Sequence, residues 1–281
     1  MNYKKMYFCA MFIKMKNLIS VLIVLAFVFA GCGEFNKIVK SSDHEFKYKK
    51  AIEFYENGEY NRASTLFQDI VRIFRGTSSA ADVFYYYAKS LMGQKDYITA
   101  TYYFNLLVAS FPNSEYVEES QFSVGYCNYL MSPNPRLDQT VTREAIDALQ
   151  LYLNRFPFGK NVNEANRIID ELQNKLVFKS YLSSRLYFDF GNYKAAVVAL
   201  TNALKDYPDS QYREELMYML LKSKYLLAMR SVEDRQLERL SDALDEYFTF
   251  IDEFPESSHR REVNRFYETT TRMLNYKEDI N

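Results

Sequence analysis

The stretch DYITATYYFNLLVASFP, residues 96–112, decides the fold because it combines a helical stripe with a helix stop. Ala100 is followed four, seven and eleven residues later by Phe104, Leu107 and Phe111. That spacing places the four side chains on one face of an α-helix. The proline that comes next lacks an N–H donor and clashes with the preceding turn, so it stops a helix. The stretch predicts a helix that packs by one face and ends at Phe111.

The same pattern recurs in four other stretches of the protein. They are EYNRASTLFQDIVRIFR, TVTREAIDALQLYLNRFP, NYKAAVVALTNALKDYP and RLSDALDEYFTFIDEFP, and in four of the five copies a proline follows the closing aromatic residue. The turn signals ENGEY, GQKDY and DFGNY precede three of the copies, with amphipathic stretches before the turns. Helix–turn–helix units repeated in this way stack into a helical solenoid.

The alanine, aromatic and proline positions resemble those of the tetratricopeptide repeat, with Ala51 and Ala88 at its first small position. The resemblance implies an all-α tetratricopeptide-repeat solenoid of about five helix–turn–helix units with a C-terminal capping helix. The closing aromatic residues are 37, 45, 51 and 47 residues apart, whereas that repeat has a period of about 34 residues. The later units therefore carry extra length. We expect a single solenoid domain over residues 44–281.

The N-terminal part of the protein has the layout of an export signal. Lysines precede an almost wholly apolar run over residues 18–30, which is shorter than the roughly 20 residues that a membrane-spanning helix needs. The sequence from Phe29 to Cys32, FAGC, resembles a bacterial lipobox, which implies that Cys32 is lipidated. We expect residues 1–31 to be a signal peptide and residues 32–43 a polar tether. If translation starts at Met15, residues 1–14 are an upstream extension.

Composition excludes several classes of function. The whole chain has 35 basic and 36 acidic residues, and residues 1–31 remove four lysines and no acid, so the mature net charge is near −5. A protein without a basic excess is a poor nucleic-acid binder. Only His44 and His259 are histidines, and no zinc motif or phosphate-binding glycine loop is present. We expect no metal, no cofactor and no enzymatic activity. Cys127 is expected to be a small core residue.

The whole arrangement resembles the BamD family of outer-membrane protein assembly lipoproteins, also described as ComL-like. The most specific features are AGC before the tether and the stretches SFPNSEYVEES and DYPDSQYREEL. The resemblance implies a lipid-anchored adaptor in the outer membrane that faces the periplasm. Its partners would be the periplasmic domains of a central β-barrel assembly subunit and unfolded outer-membrane proteins. The alternative is a tetratricopeptide-repeat lipoprotein that scaffolds cell-envelope synthesis or division.

Candidate partner-binding residues follow from repeat geometry, because first helices of stacked repeats line the concave face. Counting from each unit's small residue gives three positions in each of the first three units: Tyr48, Ile52 and Tyr55; Tyr85, Lys89 and Met92; Phe122, Tyr126 and Tyr129. Such a surface suits an extended apolar peptide that ends in an aromatic residue and a carboxylate. The alternative is that these aromatics only pack between repeats. The arginines of the last helix face either an acidic partner or solvent: Arg260, Arg261, Arg265 and Arg272.

Overall fold

The computed structural model describes residues 34–278, so the signal peptide expected over residues 1–31 and the lipidation expected at Cys32 lie outside the described residues. The α-helices are α1 (His44–Glu56), α2 (Tyr60–Ile70), α3 (Ala80–Gly93), α4 (Tyr97–Ser110), α5 (Val117–Met131), α6 (Thr140–Arg155), α7 (Val162–Asp189), α8 (Tyr193–Asp206), α9 (Arg213–Met229), α10 (Glu233–Glu253) and α11 (Arg260–Glu278). A 3₁₀ turn over Phe74–Gly76 follows α2.

The predicted all-α class is confirmed, since residues 34–278 form helices and no strand. Successive helices pack against each other, as α1 with α2, α3 with α4 and α9 with α10. First helices of neighbouring units also meet, as α1 with α3 and α9 with α11. The order is therefore that of repeated helical hairpins followed by α11.

The repeated stripe forms the core. The five repeat alanines, at positions 63, 100, 145, 196 and 243, are at most 2% exposed. Phe67, Phe104, Tyr152 and Phe250 follow on the same stripes and are among the largest fully buried side chains. The predicted helix stop is also observed, because α4 ends at Ser110 and Phe111 is its C-cap residue. The small alanines let the paired helices approach, and the larger side chains fill the space beside them.

Three of the turns between paired helices contain a residue with left-handed backbone. Gly58, Lys95 and Gly191 have φ angles of 76°, 68° and 70°. In each turn the next residue donates its N–H to a carbonyl five positions earlier, as Glu59 does to Phe54 at 2.8 Å. This is the six-to-one bond of a Schellman motif, which satisfies a free carbonyl at the helix end. Glycine adopts this conformation without steric cost, whereas Lys95 does not.

The protein divides into two compact units. Unit 1 comprises the described residues up to Ser132 together with Val141–Asn166, and unit 2 comprises Pro133–Thr140 together with the residues from Arg167 onward. Each unit has its own buried cluster, around Phe67 and Phe104 in unit 1 and around Leu200 and Phe250 in unit 2. The expectation of one domain over residues 44–281 stays a prediction.

The described part of the expected tether is not extended. Residues 34–39 are helical, and Ile38 is 7% exposed within the cluster of unit 1. The ring of Phe35 lies edge-on to Phe54 with centroids 5.6 Å apart, and the Arg62 guanidinium lies 5.6 Å from the Phe35 centroid. Phe35, Ile38 and Val39 share one helical face and bury it against the first hairpin. Residues 34–39 are thus a packed helix, and the role of residues 32–43 as a tether stays a prediction.

None of the helices within residues 34–278 is both long enough and apolar enough to cross a membrane.

Candidate functional site

The nine predicted contact residues lie on α1, α3 and α5 of unit 1. Eight are half-buried and Tyr85 is buried at 7% exposure. Their side chains contact residues of neighbouring helices at three places, described in turn below. We call this set the aromatic–lysine face: Tyr48, Ile52, Tyr55, Tyr85, Lys89, Met92, Phe122, Tyr126 and Tyr129.

The first end of the aromatic–lysine face is anchored on the 3₁₀ turn and on α3. The ring of Tyr48 lies 5.7 Å from that of Phe74. Burial, followed by the negative charge of Asp82, raises the pKa of Tyr48 to about 12. Tyr55 lies 5.2 Å from Tyr86 in an edge-to-face contact. Neutral tyrosines held in this way offer rings and fixed hydroxyls.

The centre of the face is a tyrosine, a lysine and a glutamate. Tyr85 stacks on Tyr116 with centroids 4.2 Å apart. The Lys89 ammonium lies 2.8 Å from Oε1 of Glu119 and 5.9 Å from the Tyr85 centroid. Burial alone would raise the pKa of Glu119, but the hydrogen bond and positive charge of Lys89 outweigh it and lower that pKa. Burial and the hydrogen bond to Glu119 raise the pKa of Tyr85 well above its usual range.

The far end of the face is built on α5. Phe122 and Tyr126 stack with centroids 5.7 Å apart, and Tyr126 lies 6.0 Å from Tyr129. Phe122 also contacts the fully buried Tyr152 of α6 edge-on at 5.5 Å. These rings both pack inside unit 1 and keep part of their surface accessible. The packing alternative and the binding alternative are therefore compatible for the same side chains.

Unit 2 repeats the central arrangement with other residues. Tyr218 stacks on His259 with centroids 3.7 Å apart, in the place of Tyr85 on Tyr116. Lys222 lies 2.8 Å from Oε1 of Glu262, and the Tyr218 hydroxyl donates to Oε2 of that carboxylate at 2.7 Å. Tyr181 stacks on Tyr212 at 4.5 Å in the same register. The same three groups thus recur along the sequence: a tyrosine, a cation four residues later, and a carboxylate on the first helix of the following repeat.

Sequence reasoning found this register only in the first three units, because it carried one fixed spacing of 37 residues past the point where the repeats lengthen. A better signal was available. The left-handed turn residue follows the buried small residue by seven positions, as Gly58 follows Ala51 and Lys95 follows Ala88. Gly191 follows the buried Ser184 by the same seven positions. Tyr181 precedes Ser184 by three positions, as Tyr85 precedes Ala88, so the turn at Gly191 identifies Tyr181 as the equivalent residue.

The last helix carries the predicted arginines on its exposed side. All four are exposed, and Arg260 in addition donates to the carbonyl of Pro255 at 2.7 Å and lies 3.8 Å from Glu256. A role for these arginines in binding an acidic partner stays a prediction. Within residues 34–278, no group of three His, Cys, Asp or Glu side chains could hold a metal ion.

Comparison with known proteins gives the family. The sequence pattern described as YfiO, outer membrane lipoprotein, matches residues 40–240. The chain belongs to the YfiO family of outer membrane lipoproteins. It is 24% identical over 249 residues to the "Putative outer membrane protein assembly factor BamD" of Aquifex aeolicus, covering 88% of this chain and 81% of that protein. It is 22% identical over 219 residues to the outer membrane protein assembly factor BamD of Rickettsia prowazekii, covering 77% of this chain and 86% of that protein.

The YfiO family match confirms the resemblance to assembly lipoproteins, and this family is one of non-enzymatic assembly factors. Among solved structures, the TPR2AB-domain:pHSP90-complex of yeast Sti1 is similar with a TM-score of 0.38 at 14% identity, covering 81% of this chain and 98% of that one.

Proposed function

We propose that this YfiO-family lipoprotein is an adaptor of the machinery that inserts β-barrel proteins into the outer membrane. In this proposal the lipid on Cys32 holds the protein at the outer membrane, with the helical units in the periplasm. The aromatic–lysine face binds extended segments of unfolded outer-membrane proteins. Another surface of the protein binds the periplasmic domains of the central barrel subunit. The single observation that carries the proposal is the aromatic–lysine face of unit 1 in a protein of this family.

The chemistry of the face suits segments of barrel proteins. Strands of such proteins alternate apolar and polar side chains and are rich in aromatic residues near the membrane interface. Half-buried rings such as Tyr55, Phe122 and Tyr126 offer flat apolar surface at low cost in conformational entropy, because each has only two side-chain torsions. Tyrosine hydroxyls can bond to the backbone of an extended peptide.

Lys89 supplies the charged element. Its ammonium has three N–H donors, of which Glu119 accepts one at 2.8 Å. The remaining donors can bind a substrate carboxylate, including the terminal carboxylate of a polypeptide. The paired Glu119 holds the ammonium in place beside Tyr85 and sets a negative charge next to it. Binding at this point therefore favours a carboxylate that approaches from the lysine side over one that approaches Glu119.

The proposal is tested by in-cell photocrosslinking. A photoreactive phenylalanine analogue replaces Tyr55 or Tyr126, and in a matched control it replaces Tyr102, which is 57% exposed on α4 and outside the face. We expect adducts with newly exported outer-membrane proteins from positions 55 and 126 and none from position 102. Equal adducts from all three positions would show unspecific contact and would contradict the assignment of the face.

A mild-detergent purification of the tagged protein from outer membranes tests the partner. Recovery of a barrel protein that carries repeated periplasmic domains is the expected result. Recovery of envelope-synthesis or division proteins without a barrel subunit would support the alternative scaffold function instead.

A further inference from the structure

A basic cavity in unit 2 shares no residue with the aromatic–lysine face. It opens where the segment Pro133–Thr140 lies against α7, and its volume is about 580 Å³. Three basic side chains and one acidic side chain line it together with two leucines: Arg136, Lys179, Arg185, Asp189, Leu182 and Leu186. The walls thus carry a local excess of two positive charges, although the whole protein has a net charge of −1.

The segment that forms one wall has a fixed backbone. Gln139 is 2% exposed, and its Nε2 donates to the carbonyls of Asn134 at 2.9 Å and Leu137 at 3.0 Å. The Arg136 N–H donates to the side-chain oxygen of Asn134 at 3.0 Å. Across the cavity, Lys179 Nζ donates to the Arg136 carbonyl at 3.0 Å. The backbone at Arg136 is therefore held by bonds from both sides.

The basic side chains of the cavity differ in the hydrogen-bond and ion-pair partners that they have. Arg185 bonds to the Tyr181 hydroxyl at 3.1 Å and to the Asp189 carboxylate at 3.3 Å. Within residues 34–278, the Arg136 guanidinium has no hydrogen-bond or ion-pair partner, and Lys179 donates to a neutral carbonyl. The Arg136 guanidinium is therefore free to bind an anion, and the Lys179 ammonium has two further N–H donors for one. Beside them, Leu186 is 52% exposed.

We propose that this cavity docks an acidic peptide segment of a partner protein. Arg136 and Lys179 bind the carboxylates of the segment, and Leu182 with Leu186 takes an apolar side chain next to them. Arginine suits this task because its fork of donors matches a carboxylate. The leucines and the volume favour a peptide over a small inorganic anion, which needs neither. The inference does not depend on the proposed role of the aromatic–lysine face.

The test uses the full-length protein in mild detergent and fluorescent nine-residue peptides, with binding read by anisotropy. The probe peptide alternates Asp or Glu with Leu or Phe, and its neutral counterpart has Asn and Gln in place of the acids. We expect the acidic peptide to bind more tightly than the neutral one. Arg136→Gln combined with Lys179→Gln should weaken binding about tenfold, since two cation–carboxylate contacts are lost. Higher salt should weaken it as well.

The matched control replaces two exposed lysines of α8, Lys194→Gln with Lys205→Gln, and changes the net charge by the same amount. It should bind as the unchanged protein does. Arg136→Gln alone removes a guanidinium without a hydrogen-bond or ion-pair partner in the described residues, so we expect it to leave the fold unchanged and still to weaken binding. Equal losses in the control, or equal binding of the neutral peptide, would overturn the proposal.

The same variants in a Cys32→Ser background, which lacks the proposed lipid anchor, are also incubated with vesicles of anionic phosphatidylglycerol and sedimented. If the anionic vesicles retain the Cys32→Ser protein better than its Arg136→Gln, Lys179→Gln variant while the acidic peptide fails to bind, the cavity recognises lipid headgroups. That result would overturn a protein partner.

Discussion

Gly125 gives the sharpest stability prediction, because in the third helix–turn–helix repeat it stands at the small-residue position that Ala51 and Ala88 take in the first two. It is buried on α5, and a Cβ added there would lie 2.6 Å from Cγ and 2.7 Å from Cδ2 of Leu149, and 3.1 Å from its backbone nitrogen. Leu149 is fully buried on α6. Glycine at this position therefore permits the close approach of the two helices.

Two opposing terms decide the effect of Gly125→Ala. Alanine favours a helix over glycine by about 1 kcal/mol. Overpacking a filled core costs about 1–3 kcal/mol. We expect the second term to win, because one of the crowded atoms is backbone and cannot rotate away. The net loss in free energy of unfolding should be up to about 2 kcal/mol, measured by urea denaturation with helical circular dichroism on the protein from residue 33 onward.

The Leu149→Ala background provides the control. That substitution alone should cost about 2–5 kcal/mol, but it empties the space that the new Cβ would enter. In this background Gly125→Ala should be neutral or stabilising, so the two changes are coupled by more than about 1 kcal/mol. A gain of about 1 kcal/mol from Gly125→Ala in the unaltered protein, as for an exposed helix glycine, would refute the packing of α5 on α6.

Further predictions concern the charge cluster and the cysteines. Lys89→Met should lower the free energy of unfolding at pH 7 by about 1 kcal/mol, a small figure because the pair is partly solvated. Since Lys89 lowers the pKa of Glu119, this difference should be lost as pH falls through that lowered pKa, which urea midpoints at several pH values would reveal. A loss that persists at low pH would contradict it. Burial raises the pKa of Cys127 to about 11, so with Cys9 and Cys32 replaced by serine its thiol should react with a disulfide reagent at pH 8 only after unfolding. Cys32→Ser should move the protein out of the membrane fraction, and retention there would refute lipidation.

Much of the fold could be predicted because each unit uses the same local rules. The stripe that starts at Ala100 and the stop at Phe111 need only helical spacing and the chemistry of proline. The helix over residues 34–39 was missed, because its few apolar residues look like a linker until the first hairpin is there to cover them. Tertiary contact, rather than local preference, makes this helix.

The candidate site could be predicted in part. The positions of Tyr85 and Lys89 follow from the repeat register, but the partner of each comes from the next unit and depends on how the helices pack. Tyr218 and Lys222 were missed because the insertions shift the spacing of the later units. The cavity at Arg136 could not be predicted, since it joins a loop and a helix that are far apart in the sequence.

Depletion of this lipoprotein in its own bacterium tests most directly whether it serves the assembly of outer-membrane β-barrels. Folded barrels resist unfolding in detergent at low temperature and migrate differently on gels from unfolded ones, so both forms can be counted. We expect folded barrels to fall and unfolded ones to accumulate on depletion, with recovery on expression of the unchanged protein but not of a variant with Tyr55→Ala, Lys89→Ala and Tyr126→Ala at equal abundance. Normal levels of folded barrels in depleted cells would contradict a role in barrel assembly.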